Sequence, residues 1–395
     1  MNIGHKYLVE AIVFLSYVLF AMAWVGGTAS LDQIMQSMQV KSLASASFIS
    51  GAVTLAKIVG TFGAAYLAYK FGIKYAFFIS CLLITVGLLT PLSPNYEVLL
   101  LSRFLMGLGG AFMIVYFNPI VMQWFLPAER PTINGINAVA FNVGTAIILW
   151  FMNDINAITG SWQFSLITFS LASLLLALVW LMVNFEGQQN TSEQANAQSH
   201  QHYSYTEGLK DKFNWIYALT YSGILAFYIC LFTFYPKAGI SQSKWVIGFG
   251  IVGTIAGIIY SKHFTQRVPV IRWSGAIIVI TVIGLSFTIH PVLQTLCAII
   301  LGFFVFFPIT ALVTLPQELP AMNSQRITVV FSLFYSISYL VATAVLWLFG
   351  KLVDINNGNF EASFILISLM SCTFFIGSFF LPETNKHKEK VLCEV

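Results

Sequence analysis

Residues 187–204, GQQNTSEQANAQSHQHYS, interrupt a chain that is otherwise almost continuously apolar. The stretch is rich in Gln, Asn and Ser and has no apolar periodicity, which marks a solvated linker rather than a packed element. A helix rises about 1.5 Å per residue, so crossing the hydrocarbon takes about 20 apolar residues. Six runs of that kind precede the linker, at 8–29, 43–69, 75–92, 97–125, 131–152 and 163–184. Six follow it, at 215–235, 244–261, 273–289, 292–315, 327–349 and 362–381. Pro119 and Pro308 are expected to kink the fourth and tenth runs. The chain therefore reads as an all-α polytopic membrane protein of twelve transmembrane helices in two six-helix, pseudo-symmetric halves. The expected divisions are an N-terminal bundle at 1–184, a cytoplasmic flexible linker at 185–214, and a C-terminal bundle with a short tail at 215–395.

Composition excludes the other classes. Of 395 residues, 58% are hydrophobic and only 9% charged, against about 25% charged in a soluble domain. Thirty-four charges cannot coat a globule of this size, so a soluble enzyme, a disordered chain and a fibre are ruled out. Strands of a membrane barrel would alternate apolar and polar residues instead of staying apolar for twenty. The net charge of +4 gives no reason to expect nucleic acid as a partner. The five cysteines show no metal spacing and no CxxC pair, so they read as small hydrophobes. The first apolar run continues to about Gly27 and many equivalent runs follow, so it reads as a span rather than a cleaved leader. No Walker A sequence, nucleophile–base constellation or ligand cluster occurs, and no enzymatic activity, cofactor or metal is expected.

Charge orients the bundle. With the N-terminus in the cytoplasm, thirteen Lys/Arg fall on the cytoplasmic side, four outside and two within spans. That positive-inside bias predicts a multi-pass protein of the cell inner membrane with both termini and the linker cytoplasmic.

Several motifs carry a family resemblance. Ala65 to Lys74, AYLAYKFGIK, resembles the loop motif G-x-L-A-D-R-x-G-R-K of the major facilitator superfamily, with Lys70, Gly72 and Lys74 in register. Ala65 replaces the motif's first Gly, and Tyr69 its Asp. In the family that Asp belongs to a charge relay that steadies one gating state. Leu99-x-x-x-Arg103 followed by Gly107-Leu-Gly109-Gly110-Ala111 is similar to the family's second motif, an intramembrane Arg with a glycine face that lets helices approach. Gly160-Ser-Trp-Gln-Phe164 resembles the motif before span six, and the stretch from Trp124 through Arg130 to Gly144 resembles the loop into span five. The second-half loop, Ser261 to Trp273, keeps only basic character. The resemblance implies the major facilitator fold, a central cavity lined chiefly by spans 1, 4, 7 and 10, and alternating access to a small molecule by a monomer in the lipid bilayer.

Lys57 is the decisive residue within the spans. Ser50, Thr54, Lys57 and Thr61 share one helix stripe, and Lys57 lies roughly 18–21 Å from either end of its span. Its stem cannot snorkel that far, and an ammonium there costs roughly 2.5–3.5 kcal/mol. It should face water, a partner or substrate, the alternative being carbonyls at a bundle contact. As the second-motif residue, Arg103 reads as a brace on carbonyls of span one, with substrate contact the alternative. All fifteen acids are placed in loops, tails or the first turns of spans, so no deep carboxylate is expected to carry a proton.

Tyrosines supply the second signal. Tyr217, Tyr221, Tyr228 and Tyr235 share a face of span seven. The outer two read as interfacial belt, leaving Tyr221 and Tyr228 for the cavity. Tyr17 and Trp24 share a face of span one, and Tyr335 and Tyr339 a face of span eleven. Asn118, Asn134, Asn137 and Asn142 read chiefly as helix braces. The expected substrate site is thus Lys57, Trp24, Tyr221, Tyr228, Tyr17, Thr54, Tyr335, Tyr339 and Arg103. The reading is a secondary active or facilitative carrier of a small organic anion of the carboxylate type. Its rivals are a quaternary-amine carrier that cages the cation between Trp24 and Tyr221 or Tyr228, an exporter of amphipathic drugs or siderophore-like compounds using the Phe-rich span ten, and a receptor or scaffold that no longer transports.

Overall fold

A computed structural model describes residues 3–125, 129–184, 204–264, 266–319 and 324–383. The expected linker lies largely outside them. The chain divides into two compact units, residues 1–41 with 45–202, and 42–44 with 203–395. In the first unit the helices are α1 (Ile3–Ala29), α2 (Leu31–Ser37), α4 (Phe48–Thr85), α5 (Tyr96–Trp124), α6 (Arg130–Thr159) and α7 (Trp162–Leu181), with α3 (Leu43–Ala46) at the division. The second holds α8 (Tyr205–Lys210), α9 (Lys212–Phe234), α10 (Ser243–His263), α11 (Val268–Phe287), α12 (Pro291–Phe306), α13 (Ile309–Gln317), α14 (Ser324–Ile355) and α15 (Glu361–Gly377). Among the described residues ten helical stretches are long and apolar enough to cross a membrane, and the shorter apolar helices Phe48–Ala64 and Glu361–Gly377 complete the twelve.

Local chemistry sets the turns. Spans two and three form one helix, α4, broken only at Gly72, whose φ of 74° suits a residue without Cβ. The segment expected as a loop is therefore a one-residue turn. Beside it Lys70 is exposed, and the Lys74 carbonyl accepts a 2.8 Å hydrogen bond from Trp180 Nε1. The motif before span six has a similar economy. Gly160 closes α6 in the left-handed conformation, and the Ser161 side chain accepts from the Phe164 amide to start α7. In the second unit, Ser204 and Glu207 form a reciprocal capping box that starts α8. Residues 205–214, expected as flexible linker, are helical for that reason, apart from the junction at Asp211, whose side chain caps α9.

The glycine face of α5 serves three neighbours. A Cβ on Gly107 would meet the backbone of Val53, one on Gly109 the Ser80 carbonyl, and one on Gly110 the ring of Phe20. These residues let both limbs of α4, and α1, lie close against α5. On α6, Gly144 admits the Val18 carbonyl of α1 in the same way.

The second unit carries an ionic clamp that basic character alone did not reveal. Arg267 grips Glu318 through Nε (3.2 Å) and Nη2 (2.9 Å), while Nη1 donates to the carbonyls of Ser261 and Phe264. The Glu383 carboxylate accepts from the amides of Arg267 and Val268, capping the start of α11. The belt reading of Tyr217 and Tyr235 is corrected. Both are buried, Tyr217 donating to the Leu312 carbonyl at 2.9 Å and Tyr235 bonded to Ser286 Oγ at 2.7 Å. Phenol oxygens near span ends were read as headgroup-facing, but neighbouring helices supply partners for both.

Candidate functional site

In the first unit, α1 presents Tyr17, Phe20 and Trp24 at offsets 0, 3 and 7, which is one helix face. Opposite them α4 presents Lys57, which is only 2% exposed. Its Nζ lies 5.8 Å from the ring centre of Tyr17, 5.2 Å from Phe20, 5.0 Å from Trp24 and 5.5 Å from Phe141 of α6. It also donates to Tyr17 Oη at 3.4 Å. Ring faces carry negative quadrupole charge, so four of them around an ammonium replace part of its lost hydration. The rings pack on one another, Tyr17 stacking on Phe20 at 5.5 Å and Trp24 meeting Phe141 edge-on at 5.3 Å. Phe20 and Phe141 escape a reading based on polar residues, since each alone looks like ordinary core.

Arg103 reaches the same assembly from behind. Its Nη1 and Nη2 donate to the Ala23 and Trp24 carbonyls of α1 at 2.9 and 2.8 Å, and Nε to the Ile49 carbonyl of α4 at 3.0 Å. A Cβ on Gly27 would collide with the guanidinium, so glycine there makes room for it. Arg103 thus ties α5 to α1 at the residue that carries the Trp24 ring, and to the start of α4. Thr54 is buried one turn before Lys57 and donates back to the Gly51 carbonyl at 2.9 Å.

One of the acids placed in the first turns of a span is buried. Glu10 is 5% exposed and sits beside Asn137 of α6. Helix α1 begins at Ile3 and its apolar span at Lys6, so Glu10 lies in the first turns of the span. Its burial comes from α6, which apolar periodicity cannot reveal. Asn142 is also buried, while the side chains of Asn118 and Asn134 lie outside those described.

In the second unit the expected tyrosines lie on α9 and α14 among phenylalanine rings. Tyr221 stacks on Phe334 at 5.0 Å, and Tyr335 meets the same ring edge-on at 5.1 Å. Tyr339 follows one turn on, 6.5 Å from Tyr335. The Tyr228 ring is edge-on to Phe232 at 5.6 Å and to Phe306 at 5.3 Å. Among the described residues no group of three or more His, Cys, Asp or Glu is arranged to hold a metal.

An uncharacterized protein of Campylobacter jejuni is 28% identical over 311 residues, covering 75% of this chain and 95% of that protein. A hexuronate transporter of Bacillus subtilis is 26% identical over 194 residues, 45% of each chain. In fold, the chain resembles the Escherichia coli xylose transporter XylE, with a TM-score of 0.77 at 16% identity over 97% of this chain and 98% of that one. The E. coli fucose:proton symporter FucP gives 0.66 at 16% identity over 96% and 100%. The family model of the Major Facilitator Superfamily matches residues 13–343. The chain belongs to the Major Facilitator Superfamily, a family of multi-pass membrane transporters.

Proposed function

We propose that the protein is a secondary active or facilitative carrier of a small organic anion of the carboxylate type, working by alternating access as a monomer in the cell inner membrane. Both termini and the 185–214 linker face the cytoplasm in this reading, as the Lys/Arg bias suggests. The observation that carries it is the Lys57 ammonium at 2% exposure in the middle of a span. A fixed cation there lowers the desolvation cost of an entering carboxylate. The partial likeness to a hexuronate transporter supports the reading, since a hexuronate is a sugar bearing a carboxylate. Lys57 supplies charge in this scheme; Tyr17, Trp24 and Thr54, with Tyr221, Tyr228, Tyr335 and Tyr339 of the second unit, orient the solute. Arg103 acts as a positioning residue through the backbone of Trp24, and Lys70, Gly72 and Lys74 form the gating turn.

The test is flux of D-glucuronate and simple dicarboxylates in proteoliposomes, with affinity read from solute-induced thermal stabilisation. Lys57→Gln should fold as well as wild type yet lose at least about tenfold in anion affinity, equivalent to about 1.4 kcal/mol. Lys57→Arg should retain part of the affinity with altered selectivity, because a planar fork replaces a point charge. Unchanged transport of the accepted anion by Lys57→Gln removes the hypothesis.

A further inference from the structure

The four rings around Lys57 compose a site whose chemistry is not specific to a lysine. A face-lined box with centroids 5.0–5.8 Å from a nitrogen suits any small organic ammonium, tethered or free. Its walls are also held independently of the occupant. The outer edge of the Phe20 ring fits against α5 because position 110 is glycine, and Gly144 lets α6 come close enough to α1 for Phe141 to meet Trp24. The backbone beneath the Trp24 ring is fixed by Arg103. A preformed box with aromatic walls should survive removal of the ion inside it.

We infer that Lys57 is a built-in cation that fills an organic-ammonium site formed by Tyr17, Phe20, Trp24 and Phe141, and thereby closes the first unit to amine solutes. Selectivity is a difference of affinities, and an occupied box with a fixed positive charge rejects a second cation by sterics and by repulsion at once. The ring faces that an amine carrier would need on Trp24 are committed to the protein's own ammonium. The bearing on selectivity rests on the proposed placement of this unit in the solute path. The ammonium site itself does not depend on any anion being carried.

Truncation of Lys57 to alanine deletes Cγ, Cδ, Cε and Nζ, which are the heavy atoms of n-propylammonium. That ion is therefore the probe, with 1-propanol as its uncharged counterpart. Purified Lys57→Ala should show a saturable rise in melting temperature with propylammonium and none with 1-propanol. Wild type and Lys57→Met, in which a side chain still fills the box, should not respond. Adding Phe141→Leu to Lys57→Ala should weaken propylammonium at least about tenfold, the scale of one desolvated cation–π contact. If Lys57→Ala is recovered only as aggregate, extraction in propylammonium chloride replaces the titration. Recovery of monodisperse protein supports the site, and continued aggregation overturns it. A Lys57→Ala protein that ignores propylammonium, or answers propanol or wild-type controls equally, also overturns it. Because no flux is measured, these outcomes are separate from failure of the anion-carrier reading, which shows as absent carboxylate transport.

Discussion

The two units tie their helices together by different chemistry. In the first, one guanidinium joins α5 to α1 and α4 through three carbonyls. In the second, buried neutral hydroxyls tie α9 to its neighbours, beside one partly exposed ion pair from Arg326 of α14 to Asp211, the cap of α9. Tyr217 donates to Leu312, Ser338 to Ala218, and Tyr235 pairs with Ser286. Charge-assisted bonds contribute roughly 1.5–3 kcal/mol each, against about 1 kcal/mol for neutral ones. The first unit therefore sets three charge-assisted bonds of one buried residue beside neutral ties such as Tyr116 to the Ala64 carbonyl, whereas the buried ties of α9 are neutral. Ions follow the same division. Lys57, Arg103 and Glu10 are buried among the helices of the first unit, whereas Arg267, Glu318 and Glu383 of the second cluster around the ends of α11, α13 and α15. Interior charge needs strong bracing to stay put.

Arg103→Ala is the severest way to break this contrast. It should destabilise the protein by about 3–5 kcal/mol, because three carbonyls lose a buried donor. Thermal unfolding in detergent reads the loss, and Arg103→Lys should restore part of it. A fully stable Arg103→Ala protein that has lost only solute binding would move Arg103 into the binding site. Next in size is Arg267→Met, expected at about 1–2 kcal/mol because the clamp is partly open to solvent. A larger loss than that of Arg103→Ala would reverse the ranking of the two units. Tyr217→Phe sharpens the other side of the comparison. It removes one neutral bond at constant ring packing, so about 1 kcal/mol is expected from the same melts. Glu10→Gln should change stability least, by no more than about 0.5 kcal/mol, since an amide beside Asn137 replaces a buried carboxyl at equal volume. A loss above about 2 kcal/mol would show that the carboxyl itself holds α1 to α6.

Helix number and the position of the costliest residue were legible because both depend on local quantities. Twenty apolar residues make a span wherever they occur, and the burial of Lys57 follows from its distance to either end. Gly72 and the Gly160-Ser161 turn were legible as motifs, although the physical need for each, a left-handed backbone, appears only in the folded chain. Contacts between helices were not legible. Phe20 and Phe141 join the Lys57 box from different helices, and nothing in their own neighbourhoods separates them from other phenylalanines. Glu10 was hidden by the register of α6, and the Arg267 clamp by Glu318 and Glu383, which lie 51 and 116 residues away. The capping box at Ser204 was a local signal, but a polar composition masked it.

The turn at Gly72 also bears on how the chain enters its membrane. Span two is the shorter apolar helix Phe48–Ala64, and it carries the lysine. The break at Gly72 falls just inside the start of the apolar stretch Lys70–Leu89, which forms span three. So tight a connection favours entry of the two as a single helical hairpin, with the apolar second limb offsetting the penalty of the first. Lengthening the turn with a flexible insert would let the limbs partition separately, and the lysine-bearing limb would then face the bilayer alone. Glycine at this one position therefore helps a costly charge reach its place during synthesis, before any helix of the second unit exists.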